Sequence, residues 1–314
     1  INKWFENKQP KPLIIRGARQ VGKSTLVRSF AQGLNLNLAE INLERHPTLD
    51  QVFSTNNTQN ILSELEGLCG KNLREKNTLL FLDEIQATPS ALPALRYLHE
   101  DFPSLPIIAA GSLLEFVLAK HNFSMPVGRI EYFHLGPMSF EEFLLALGDD
   151  FALQQLKEWQ WTKPMPETLH AKFLQRQREF LFVGGMPEAV LAFVKTQSLE
   201  QTRQVHRSII QTYQDDFSKY ARQTHWLRLH RIFEALPRII GKKVKYSEIS
   251  REDRSGDLKA SLDLLIKARI LLPAYHSDSN GVPLAAEKRD SVYKLYFLDV
   301  GLLSYLSGID WTTI

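Results

Sequence analysis

Cysteine occurs once in the 314 residues, at Cys69, so no internal disulfide can form. No group of Cys and His has the spacing of zinc ligands, so a disulfide-stapled secreted scaffold and a structural zinc module are both excluded, and the expected compartment is the cytoplasm. Glycine and proline are sparse, at 16 and 15 residues, which excludes collagen-like and low-complexity chains. Long hydrophobic runs are missing too. The longest, from Ile107 to Ala119, is broken by Ser112 and Glu115 and falls short of the roughly 20 apolar residues that cross a bilayer. The chain begins at Ile1 rather than Met, and nothing reads as a signal peptide. Charge of one sign is scarce: a net +3 names no partner.

What is present is a globular composition, 44% apolar and 23% charged, long enough at about 150 residues per domain for two domains and a small third. The first 140 residues alternate short buried-strand runs, at Leu13–Arg16, Leu36–Leu43, Leu79–Leu82, Pro106–Ala110 and Glu131–Leu135, with helical stretches. That order implies an α/β domain with a parallel sheet covered on both faces. Helical patterns follow, broken at Gly184-Gly185-Met186-Pro187, where the proline suits a first helical turn. From Trp226 an amphipathic helix carrying Leu229, Ile232, Phe233, Leu236 and Ile240 precedes two shorter helical stretches. A hairpin, Ile270–Tyr275 and Val292–Leu298, then turns around Asn280-Gly281. The expected division is a P-loop core over 1–138, a helical lid over 139–224 and a winged-helix domain over 225–314.

Gly17-Ala18-Arg19-Gln20-Val21-Gly22-Lys23-Ser24 fits GxxxxGK[ST] between a strand and a helix. The glycines let consecutive N–H groups turn inward, and the helix adds the positive end of its dipole, so the expected ligand is phosphate. Lys23 is expected to reach the β- and γ-phosphates and Ser24 to hold Mg²⁺, with Thr25 close behind. Arg19 and Gln20 either contact phosphate or face solvent.

The strand Thr78–Leu82 ends in Asp83 and Glu84. Buried unpaired charge is costly, so a function is implied: Asp83 for the metal and Glu84 as the base that deprotonates water. No Asn-Lys-x-Asp guanine reader occurs, and the adjacent glutamate favours water over a hydroxyl acceptor, so ATP hydrolysis is preferred to a GTPase or a small-molecule kinase. Ser112, at the end of the next strand, is either a γ-phosphate sensor or the N-cap of a helix Leu113–Ala119. Arg129 is either a finger acting in trans on a neighbour's nucleotide, which requires a homo-oligomer, or an arginine that pairs with Glu131 or snorkels over the strand.

Together GARQVGKST, TLLFLDEIQ, AAGSLL, PVGRI, LGPMSFEEFL, FVGGMPEAV and KLYFLDVGLL resemble the AAA+ superfamily predicted ATPases of bacteria and archaea, nearly end to end. The resemblance implies an AAA-like ATPase core, ATP and Mg²⁺ as cofactors, a lid that brings Gly184-Gly185-Met186-Pro187 near the nucleotide, and a winged helix. Similar members continue into a further C-terminal domain, which is expected to be absent from a chain stopping at Ile314.

Between Lys219 and Lys259 basic residues outnumber acidic ones, which makes DNA a candidate partner. Asp257 and Asp263 on the expected recognition helix, Asp257–Ala268, argue against it, and a protein-docking winged helix is the alternative. His225 and His230 are read as helix-surface residues, and Tyr293, Tyr296 and Phe297 as core. Two functions therefore stand: an ATPase that couples hydrolysis to conformational change, DNA-directed or not, and a nucleotide-gated protein-binding switch with negligible hydrolysis.

Overall fold

The computed structural model describes residues 1–112, 114, 128–220, 223–278, 281–309 and 311, without the side chains of 218–220, 223–225 and 284–285. Most of the expected helix Leu113–Ala119, Asn280 of the expected turn, and the side chains of Lys219, Arg222 and His225 lie outside the described residues. The chain forms two compact units, Ile1–Leu135 and Gly136–Ile314.

In the first unit β1 (Leu13–Arg16), β2 (Asn37–Asn42), β3 (Thr78–Asp83), β4 (Ile107–Gly111) and β5 (Glu131–His134) make a five-stranded sheet in the order β2-β3-β4-β1-β5. Every pairing is parallel. All residues of β3 and β4 are buried, as expected of strands covered on both faces, and this explains their unbroken apolar runs. Alternation divides them between two cores. Leu80, Leu82, Ile107 and Ala109 face a cluster with Phe53, Ile61 and Leu95, whereas Leu79, Phe81, Ile108 and Ala110 face one with Trp4, Val27 and Ala31. Because all strands run the same way, the carboxyl ends of β1, β3 and β4 share one edge of the sheet, where ligands bind in open α/β folds.

The second unit opens on helices, among them Phe140–Ala146, Glu167–Val183, Pro187–Thr196 and Leu199–Tyr220. The break at Gly184-Gly185 is a junction of three segments. Gly185 accepts from the Met138 N–H through its carbonyl (2.7 Å) and donates its own N–H to Asp299 Oδ2 (2.6 Å). Asp299 is buried, caps the helix Val300–Leu306 through the Leu302 N–H, and has its pKa pushed up by burial. A Cβ on Gly185 would lie 2.0 Å from the Met138 carbonyl oxygen, so Gly185→Ala forces backbone apart. We expect a loss of about 3 kcal/mol, at the upper end of overpacking costs, read as a lower urea midpoint. An unchanged midpoint would mean that the junction yields freely.

After this come the helices Gln223–Ile239, Tyr246–Ile249 and Ser255–Lys267, then the antiparallel hairpin of β6 (Leu271–Ser277) and β7 (Lys288–Phe297). Lys243, between the first two helices, makes a single antiparallel bridge to Lys294 of β7. Leu229, Ile232, Phe233 and Leu236 are buried as their spacing predicts, whereas Ile240 lies just past the helix Gln223–Ile239 and is half-buried, with Ile239 buried in its place. Tyr296 corrects the sequence reading: the two-residue period of a strand turns Tyr293, Leu295 and Phe297 inward and leaves Tyr296 exposed. Among the described residues no helix is long and apolar enough to cross a membrane.

Candidate active site

The loop after β1 reverses at Gln20, which is left-handed at φ 63°, and enters its helix, Lys23–Gly33, through Gly22 at φ 93°. That conformation suits glycine because it has no Cβ. No side chain caps this helix and no acidic residue occupies its first turn, so the first-turn N–H groups and the positive end of the dipole are left to an anion. Gly17, Ala18 and Val21 are buried, Arg19 half-buried, and Gln20 and Thr25 exposed. Lys23 Nζ is buried and donates to the carbonyls of Gly17 (3.0 Å) and Ala18 (2.7 Å), the two residues that open the loop.

The acid pair meets the loop across the sheet. Ser24 Oγ donates to Asp83 Oδ2 at 2.7 Å, spanning 59 residues of sequence. Asp83 is buried and its carboxyl is pushed up from the ordinary range, chiefly by burial and further by the neighbouring Glu84 carboxylate, while the Ser24 hydroxyl pulls the other way. An anion held in such a place gains from a nearby cation. Glu84 sits in a left-handed conformation, φ 53° and ψ 47°, and is half-buried. Its Oε2 accepts from Gln86 Nε2, and Gln86 Oε1 in turn accepts from the Ser112 N–H at 3.2 Å. Ser112 lies at the end of β4 with its hydroxyl buried and, among the described residues, without a hydrogen-bond partner.

Residues 9–144 match the family model of an AAA domain. That stretch, which is less than half of the chain and holds the phosphate loop and the acid pair, is similar to an AAA domain. Residues 174–313 match a second family model, a domain of unknown function (DUF8612). Among solved structures the chain is similar to Drosophila ORC bound to DNA, at 14% identity and a TM-score of 0.37, over 100% of this chain and 94% of that one. It is also similar to C. elegans PCH-2, at 12% identity and a TM-score of 0.35, over 65% of this chain and 63% of that one. No curated protein matches the chain significantly.

The first unit thus brings Lys23, Ser24, Asp83, Glu84 and Ser112 to one edge of its sheet. It does not bring Arg129 there. Arg129 precedes β5 at the opposite ends of the strands, since Glu131 pairs with Leu13 while His134 pairs with Arg16. It is exposed, and its ion-pair partner is Glu100 (3.6 Å) on the helix Ala91–Asp101, in place of the expected Glu131. Gln86 is the residue that the sequence pattern assigned no role; it follows the acid pair by two positions, and only the left-handed turn at Glu84 folds it back.

These residues fit a nucleoside triphosphate with a divalent cation. The uncapped helix and buried Lys23 amine suit phosphate, the Ser112 hydroxyl, without a partner among the described residues, has a donor to offer, and Ser24 with Asp83 is a hard oxygen pair. Among the described residues no group of three or more His, Cys, Asp or Glu is close enough to hold a metal. A cation at Ser24 and Asp83 would therefore complete its shell with phosphate and water, as Mg²⁺ does in such sites.

Proposed function

We propose that the chain is a Mg²⁺-dependent AAA+-type ATPase that couples ATP hydrolysis to conformational change. The observation that carries the reading is the 2.7 Å bond from Ser24 to Asp83, which joins the phosphate loop to the acid pair. In this reading Lys23 leaves the Gly17 and Ala18 carbonyls for phosphate oxygens, and Gly17 to Thr25, with Arg19 and Gln20, surround the phosphates. Ser24 and Asp83 hold Mg²⁺. When bound, Mg²⁺ neutralises charge developing on the phosphate oxygens. Glu84 accepts a proton from the attacking water at its carboxylate, and Ser112 donates its hydroxyl hydrogen to the γ-phosphate. Arg129, exposed and away from its own loop, acts in trans on a neighbouring copy.

A second element of the proposal is that the second unit carries a winged helix and that turnover is DNA-directed. The bridge from Lys243 to β7, within a helix-helix-helix-hairpin order, supports the first part. The second is favoured by the pairing of Asp257, one of the two carboxylates expected to repel phosphate, with Arg228 at 2.7 Å, which leaves Asp263 as the carboxylate that argues against it. Asp253 is likewise paired, with Arg228 and Arg231, while Arg254, Lys259 and Lys267 stay exposed.

The test is steady-state phosphate release with Mg²⁺ over a range of protein concentrations, with and without duplex DNA, beside a Lys23→Ala control. Turnover above the control supports the ATPase; turnover equal to it leaves the nucleotide-gated protein-binding switch. Stimulation by DNA, with an affinity that falls with salt at a log–log slope of about −3 if three cations contact phosphate, supports the DNA-directed form. A salt-independent affinity rejects it. Turnover per chain that rises with concentration and is lost in Arg129→Ala supports action in trans, and a concentration-independent rate removes it.

A further inference from the structure

We propose that Gln86 is the positioning residue of this site, fixing the Glu84 carboxylate against the end of β4 by holding both through its two amide ends. The inference rests on the reading of Glu84 as the base and adds what keeps that base in place. A primary amide is the side-chain group that suits the position, because a carboxylate must be met by a donor and a backbone N–H by an acceptor. Gln86 supplies both, with Nε2 to Glu84 Oε2 and Oε1 to the Ser112 N–H.

Three further features make the arrangement a built one. Gln86 is only 4% exposed, so its amide depends on protein partners in place of water. Gly111 lets it approach, since a Cβ there would lie 2.7 Å from Gln86 Oε1. Glu84 adopts a left-handed conformation, which costs a non-glycine residue about 1 kcal/mol or more and persists where surroundings impose it. That turn folds the chain so that the side chains of Glu84 and Gln86 meet. The Ser112 hydroxyl, buried on the same strand end, therefore shares its support with the base. A displacement of β4 by a bound γ-phosphate would be passed through one side chain to Glu84.

Two variants separate the ends of the amide. Gln86→Glu keeps the shape and the oxygen that accepts from Ser112 but removes the donor to Glu84. Gln86→Leu removes both. We expect kcat to fall about 10- to 100-fold in each, the range a misplaced catalytic group costs, with KM and the Kd for a fluorescent ATP analogue within about twofold of wild type. Hydrogen exchange at residues 107–112, followed by mass spectrometry, should quicken in Gln86→Leu and stay at the wild-type rate in Gln86→Glu.

A kcat that is unchanged or raised in Gln86→Glu, while wild type turns over, overturns the proposal and leaves the ATPase reading intact. Wild-type turnover no higher than the Lys23→Ala control defeats the ATPase reading itself. The exchange measurement then stands alone, and equal exchange in wild type and Gln86→Leu overturns the link to β4. Should Gln86→Leu fail to bind the analogue or to melt cooperatively, Gln86→Glu decides.

Discussion

Glu84→Gln is expected to lower ATP turnover by about 10²- to 10⁴-fold, the range that general-base catalysis contributes, and to leave ATP binding intact. The amide is nearly isosteric with the carboxylate but cannot accept a proton from water at neutral pH. On the proposed reading binding is preserved, because the phosphate contacts would come from the loop and from Lys23, and the cation contacts from Ser24 and Asp83, none of which the substitution alters. The local structure should hold as well: the side-chain oxygen of glutamine accepts from Gln86 Nε2 as Glu84 Oε2 does. The backbone turn at Glu84, φ 53°, asks nothing of the carboxylate. The measurement is steady-state phosphate release beside titration of a fluorescent ATP analogue. Retained turnover would remove Glu84 as the base, and lost binding would place the carboxylate in the nucleotide's own contacts.

The contrast between Glu84 and Gln86 shows which parts of the site a sequence carries. The phosphate loop was legible because all its chemistry lies within one turn of chain, and the acid pair because two carboxylates ending an apolar strand contradict the strand's burial. The bond between them, Ser24 to Asp83, depends on β4 separating β1 from β3 in the sheet, an order that periodicity does not encode. Gln86 was hidden for a related reason. Its role arises from a left-handed residue and from a partner 26 positions away at Ser112, neither of which has a local signature.

The second unit repeats the lesson at longer range. Gly184-Gly185 is visible as a break, but its cause is Asp299, 114 residues on. In the first unit the strand pattern puts Arg129 just before the last strand, yet its ion pair with Glu100 comes from packing of a helix whose position that pattern does not fix. Tyr296, by contrast, could have been read as outward from the alternation of its own strand, since Tyr293 and Phe297 set the phase.

Lys23→Ala is expected to weaken ATP binding by about 100-fold or more. A hydrogen bond to a charged group contributes about 1.5–3 kcal/mol, and a lysine proposed to serve two phosphates would make more than one, while 2.8 kcal/mol already corresponds to about 100-fold in Kd. Without nucleotide the amine is spread over the Gly17 and Ala18 carbonyls, at 3.0 and 2.7 Å, so the loop that binds is already closed around its own cation. Alanine removes that internal partner along with the phosphate contact. The variant should therefore lose stability in the free state as well as affinity, because two carbonyls facing a buried amine are left to find other donors. Melting without nucleotide and analogue titration measure the two effects separately. A lower melting temperature with unchanged affinity would make Lys23 a structural brace, whereas lost affinity at an unchanged melting temperature would mean that its contact with the carbonyls carries little weight and its work is done on phosphate.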